Sequence, residues 1–133
     1  MIDPGVRALV HQRAGHSCEY CLLKQEQLPF STFQVEHIVP RKHGGDDDPV
    51  NLALTCDRCN SHKGTNLTGI DPETGEIIAL FNPRKHSWEE HFRLSDITIV
   101  GLTAMGRATV RVLNMNEDRR VRLRAVLKQF GGL

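Results

Sequence analysis

Large side chains are scarce in this chain. Its 133 residues include five Phe, one Trp and one Tyr, so aromatics make up 5%, too few to fill the core of an ordinary domain without some other tie. Long apolar runs are missing too, and no stretch approaches the roughly 20 consecutive residues of a membrane-spanning helix. The opening segment MIDPGVRALVHQRAG contains Asp3 and no long apolar run, so it does not read as a secretory signal. The expectation is a cytoplasmic protein with no membrane partner. Net charge is also nearly absent, at +1, which argues against a nucleic-acid partner if the charge is evenly spread.

It is not evenly spread. Residues 107–133 hold seven basic side chains against two acidic ones, a local +5, whereas residues 67–106 sum to −3. In the basic tail Arg107 and Arg111 lie one helical turn apart, and Arg120 and Arg124 repeat the spacing. Such a face suits DNA phosphates, which position a duplex without reading its sequence; a merely solvated face is the alternative. No extended recognition module accompanies it, so any sequence preference should be weak.

Against these shortages stand four cysteines in two pairs, Cys18-x2-Cys21 and Cys56-x2-Cys59, with 34 residues between them. Each pair can present two thiolates to one side of a metal, and two pairs complete the tetrahedral sulfur site that structural zinc prefers. A redox CxxC lacks its usual strand and helix context here, and four buried unliganded thiols are the bland alternative. A zinc site would supply folding energy that the small aromatic core cannot. Having four thiolate ligands, it leaves no position for substrate, so this metal is expected to be structural.

The local pattern implies an α+β fold. Asp3 and Pro4 open a helix whose apolar positions Val6, Leu9, Val10 and Ala14 run to Gly15. Phe33, Val35 and Ile38 suggest a strand ended by Pro40. RKHGGDDDPVN reads as a loop, LALTC as a second strand, and DRCNSHKG as a helix. Farther on, IDPETGEIIALF reads as a turn entering a strand, and WEEHFRL and ITIV as further strands. Thr103 is positioned to cap one helix. Asn116 is positioned to cap another, with Leu123, Val126, Leu127 and Phe130 at helical spacing and Gly131 at its end. With no repeat and no low-complexity linker, residues 1–133 are expected to form a single domain, with a motif core at 18–64 and a basic helical extension at about 103–130.

Between the cysteine pairs lies a polar cluster: Glu36, His37, Arg41, Lys42, His43, Asn51, Asn60, His62 and Lys63. A hairpin packed on the following helix would bring Glu36, His37, Asn51 and Asn60 together. Phosphodiester hydrolysis needs a base to activate water and a divalent cation to stabilise charge on the phosphate. A neutral imidazole suits the first task. A carboxylate and an amide oxygen, both hard ligands, suit Mg2+ or Mn2+ in the second.

The stretch VEHIVPRKHGGDDDPVNLALTCDRCNSHKG resembles the HNH endonuclease motif in its zinc-stapled form, here an H-N-N variant. That resemblance implies a beta-beta-alpha-metal (His-Me finger) core, a four-cysteine zinc site, further C-terminal strands and helices, and a metal-dependent DNA endonuclease or nickase. By resemblance His37 is the general base, Glu36 and Asn60 hold the catalytic Mg2+ or Mn2+, and Asn51 braces the loop and helps orient the base. Glu36 stands where aspartate is commoner. Cys18, Cys21, Cys56 and Cys59 would hold structural Zn2+, while Arg41, Lys42, Lys63, Arg107, Arg111, Arg120 and Arg124 would contact DNA. The segments LFNPRKHSWEEHF and GLTAMGRATVRVLNMN also resemble the C-terminal part of small standalone bacterial HNH proteins, without residue roles.

Other residues invite plainer readings. Asp46, Asp47 and Asp48 read as a solvated loop, because adjacent carboxylates do not naturally converge on one ion. His43 and His62 lie near the cluster without a distinct role, Trp88 reads as core, and His86 and His91 as partly buried or surface histidines. The competing function is a zinc-stapled DNA-binding module without catalysis; a protein-interaction or redox domain is a third. Monomer and weak dimer are both compatible with the chain, which offers no clear dimer seam.

Overall fold

In the computed structural model, which describes residues 2–133, the first helix begins where its cap requires. Helix α1 spans Pro4–Arg13, and the Asp3 carboxylate accepts from the Gly5 and Val6 amides, two of the donors that a helix start leaves open. Strands β1 (Gln34–His37) and β2 (Leu52–Thr55) pair antiparallel, with Glu36 opposite Ala53 and His37 opposite Leu52. Helix α2 follows at Asp57–Lys63. This is the expected strand, loop, strand, helix order. All of β2 is buried, and both α1 and α2 pack on the hairpin. The Arg13 guanidinium closes the other side by donating to the carbonyls of Pro49 and Leu52 at 3.0 and 2.8 Å.

These elements belong to one compact unit, made of residues up to Leu67 together with Asn82–His86; Thr68–Phe81 and Ser87–Leu133 make a second. In the second unit a hairpin of β3 (Thr68–Ile70) and β4 (Ile77–Ala79) turns at Asp71. Its WEEH segment was expected to be a strand. It is instead a one-turn helix, α3 (Trp88–His91), where two acidic residues in the first turn favour helix. Strand β5 (Phe92–Ser95) then pairs with β6 (Thr98–Gly101). Helix α4 (Ala104–Val112) is capped by the Thr103 hydroxyl, which accepts from the Gly106 amide at 3.0 Å. The aromatic core of this unit centres on Phe92, whose ring meets Phe81 at 5.1 Å and half-buried Trp88 at 5.2 Å.

The last helix, α5 (Asp118–Gln129), differs most from its sequence pattern. Glu117 occupies the cap position, while the Asn116 amide instead bridges the backbone N–H and C=O of Ile99 at 2.9 and 2.8 Å. The apolar stripe is inward only in part, Leu123 and Leu127 being half-buried while Val126 is 50% exposed and Phe130 79%. Arg120 and Arg124 are buried more deeply, only 8% and 6% exposed. Arg120 donates to the carbonyls of Leu113 and Asn114, and Arg124 to those of Ile97 and Met115. Several of these carbonyls follow the C-terminus of α4, where backbone acceptors lack helical partners and cations are favoured. The expected DNA-contacting pair Arg120 and Arg124 is therefore structural. Gly131 does end the helix, at φ +76°.

Arg107 is likewise committed within this unit. Its guanidinium forms a fork on Asp71, with Nε and Nη2 donating at 2.8 and 2.9 Å, and also pairs with Glu73. The Arg107 hydrogen bonds, with help from the Glu73 amide and the Thr74 hydroxyl, hold the Asp71 carboxyl well below the usual carboxylate range. Arg107 thus secures the β3–β4 turn and is not free for phosphate, whereas Arg111 stays exposed.

Two outcomes follow. Arg124→Ala should lower unfolding free energy by at least about 1–3 kcal/mol, because several buried carbonyls lose a charged donor. Chemical denaturation reads this, and unchanged stability with weakened DNA binding would contradict the burial. For Asp71, a depressed folded-state pKa means that its stabilisation is present above the ordinary carboxylate pKa of about 3.9 and is lost as pH falls. Asp71→Asn should therefore be less stable than wild type at pH 7, and the deficit should shrink below about pH 4, as denaturation at both pH values would show.

Candidate active site and metal centre

The two cysteine pairs meet. The four Sγ atoms of Cys18, Cys21, Cys56 and Cys59 all lie within 4.8 Å of one another, and all four residues are buried. A tetrahedron with Zn–S bonds of about 2.3 Å has edges of about 3.8 Å; Cys21 and Cys56 sulfurs stand 3.6 Å apart, close to such an edge and far beyond a covalent bond. In each pair the second amide points at the first sulfur, Cys21 N–H to Cys18 at 3.5 Å and Cys59 N–H to Cys56 at 3.4 Å. Burial pushes the Cys18 thiol well up, and hydrogen bonding with the neighbouring thiols, Cys18 first, does the same to Cys59. Ionised together, these sulfurs need a cation among them, so the donor set and its spacing fit zinc.

The first knuckle also reaches the hairpin. The Glu19 amide donates to the Leu54 carbonyl at 2.9 Å, the Glu19 carboxylate accepts from the Leu54 amide at 2.8 Å, and Arg84 pairs with the same carboxylate. Tyr20, fully buried, donates its hydroxyl to Glu36 Oε1 at 2.9 Å. From the helix side, Lys63 Nζ donates to the carbonyls of His37 and Ile38 at 3.3 and 3.0 Å and stands 3.4 Å from Glu36 Oε2. Lys63 is only 2% exposed. It was expected to contact DNA, but its ammonium is spent on fixing the end of β1 to α2. Burial raises the Glu36 carboxyl above its ordinary range, and Lys63 partly offsets this.

Glu36, His37 and Asn60 line a single cleft of about 380 Å³ with Arg41 and Lys42 at its margin. Consecutive strand residues point to opposite faces, yet both line this cleft, Glu36 from a buried position and His37 from the more open end of the strand. Among the described residues the Asn60 carboxamide has no hydrogen-bond partner, so its oxygen is open to a cation. A carboxylate and an amide oxygen on one cleft fit a hard divalent ion. Such an ion would share Glu36 with Lys63.

The loop between the strands is held by Asn51. Its Oδ1 accepts from the Val39 amide at 2.9 Å, and its Nδ2 donates to the carbonyls of Val39 and Asp46 at 3.0 and 2.9 Å. The chain reverses through Gly44, at φ +88°, and a side chain at Gly45 would collide with the Val39 carbonyl. This reversal returns Asp47 to the strand end. Its Oδ1 lies 2.7 Å from His37 Nε2, and Arg41 Nη2 donates to both of its oxygens at 2.7 and 2.9 Å. Asp47 is thus a site residue that the sequence pattern hides in a run of three aspartates; the glycine pair before it is the only hint. Asp46 and Asp48 merely accept from nearby loop amides. The hydrogen bond with His37, ahead of the Arg41 charge, holds the Asp47 carboxyl below the usual range.

Among the remaining candidates, His43 bonds the Thr65 carbonyl at 3.1 Å and His86 accepts from the Asn82 amide at 3.1 Å. His91 bonds the Thr103 hydroxyl at 2.7 Å inside the second unit. His62 is half-buried on α2.

The family model for HNH endonucleases matches residues 18–66, which are the segment holding both cysteine pairs, the hairpin and α2. Residues 18–66 are an HNH domain. A curated relative, Septu protein PtuB of Bacillus thuringiensis, is 26% identical over 125 residues, covering 89% of this chain and 44% of that protein. The chain spans less than half the length of this relative. No solved structure matches. Among the described residues no helix is long and apolar enough to cross a membrane.

If the sulfur cluster holds zinc, metal analysis of purified protein should give about one equivalent per chain. Cys56→Ser should lose most of it and unfold the first unit, because structural zinc sites contribute about 10–16 kcal/mol of apparent binding energy, against about 5–15 kcal/mol of net stability for a domain. Full folding without metal would refute the staple.

Proposed function

We propose that this HNH domain is a metal-dependent endonuclease or nickase acting on DNA, in which His37 is the general base that takes a proton from water. The observation that carries the reading is the convergence of His37, Glu36 and Asn60 on one cleft, beside a sulfur cluster that needs no substrate position. A DNA-binding module has no use for a base beside two hard oxygen ligands. Glu36 and Asn60 would hold the catalytic cation, Mg2+ or Mn2+, which would supply charge stabilisation at the phosphate and the leaving oxygen. Asn51 would keep the loop in the shape that presents His37.

Contact with DNA would come from exposed basic groups at the cleft, Arg41 and Lys42, with Arg111 as a further phosphate contact; backbone contacts of this kind carry little sequence preference. The chain is read as a cytoplasmic, single-domain nuclease with structural Zn2+, active as a monomer by nicking or as a weak dimer.

The deciding experiment is relaxation of supercoiled plasmid with Mg2+, Mn2+ or EDTA. Wild type should nick only with a divalent cation, and His37→Ala should lose about 10²–10⁴-fold in rate while keeping its zinc and fold. Plasmid binding without cleavage by wild type would favour the non-catalytic module instead.

A further inference from the structure

The geometry assigns Asp47 as the positioning residue of His37, so that the imidazole is presented with its proton on Nε2 and its lone pair on Nδ1; this assignment rests on the nuclease reading of the same site. Three observations lead to it. First, His37 Nε2 and Asp47 Oδ1 are 2.7 Å apart, and an ionised carboxylate can only accept, so the shared proton sits on nitrogen. Second, Arg41 grips both oxygens of the same carboxylate, which keeps it charged and fixes its rotation. Third, the loop that carries Asp47 is itself locked, because the Asn51 amide holds the Asp46 carbonyl one residue away. Among the described residues nothing else bonds His37 Nδ1, which is left to meet water.

The roles then divide. His37 Nδ1 takes a proton from water as the water oxygen bonds to phosphorus. One ester P–O bond breaks, and its electron pair leaves on the ester oxygen, which takes a proton from solvent. The imidazolium so formed is stabilised by the Asp47 carboxylate and returns its proton to solvent. This is the division of labour by which a buried carboxylate orients a histidine base in hydrolytic triads, built here from a loop ten residues beyond the histidine. Arg41 accordingly acts through Asp47 as well as through its charge at the cleft.

The test uses zinc-loaded full-length protein with 15N-labelled histidine, together with steady-state plasmid nicking. Wild type should show a slowly exchanging, downfield imidazole proton bonded to His37 Nε2, and Asp47→Ala should lose it with zinc content and amide dispersion unchanged. In nicking, Asp47→Ala should lower kcat by about 10–100-fold, in the range of losses for residues that orient a functional histidine, with KM within about twofold. Asp47→Asn should recover part of both signals, since its amide oxygen faces the two donors that converge on Oδ1. Absence of the proton in wild type, or a raised KM with unchanged kcat in Asp47→Ala, would overturn the assignment. Wild type that nicks nothing would overturn the nuclease reading and the catalytic consequence with it. Active wild type with an unaffected Asp47→Ala overturns the role of Asp47 alone.

Discussion

Four sulfur atoms within 4.8 Å of one another are the constraint on which the first unit depends. Cys18 and Cys21 lie on a knuckle before β1, Cys56 and Cys59 at the start of α2, so gathering them closes a long loop and sets the hairpin against the helix. The same knuckle gives Glu19 to the Leu54 amide of β2 and Tyr20 to the Glu36 carboxylate. The cysteine corner thus delivers side chains to the site as well as joining hairpin and helix. A metal bound there would let a unit with few large side chains position polar groups tightly, replacing burial that this sequence cannot provide.

The site works by allotting opposite duties to neighbouring charges. Glu36 is buried and is met by Tyr20 and Lys63, whereas His37 stands at the strand end and meets Asp47 across the loop. Buried ionisable groups are costly unless they are paired and hydrogen-bonded, and here each has a partner drawn from a different part of the chain. Lys63 is the clearest case. Its ammonium joins the β1 carbonyls to the Glu36 carboxylate, so a residue that looks like a phosphate contact serves as a strut within the HNH domain.

In the second unit the same physical rule reassigns the basic tail. A run of arginines on a terminal helix reads as a nucleic-acid face, yet Arg120 and Arg124 turn inward and donate to carbonyls just beyond the end of α4. Arg107 is taken by Asp71. The apolar residues Val126 and Phe130 are left outward in exchange. Charge counts cannot distinguish an arginine that faces phosphate from one that satisfies backbone acceptors, because the difference lies in what lies opposite.

Spacing alone was enough to place the cysteine pairs, the hairpin around the Gly44–Gly45 turn and the caps at Asp3 and Thr103, and Glu36, His37 and Asn60 do line one cleft, while Asn51 braces the loop beside it; each is a local pattern. WEEH defeated that approach because four residues carry too little periodicity to separate strand from a helical turn, and Asn116 because a cap and a strand bridge demand the same amide. Asp47 was invisible among three aspartates. What chose it over Asp46 and Asp48 was the direction of a loop clamped by Asn51 and folded through a glycine at positive φ. Chemistry-bearing residue types are written in the chain; which of them touch is decided by tertiary closure, because hydrogen bonds depend on distances that sequence separation does not encode.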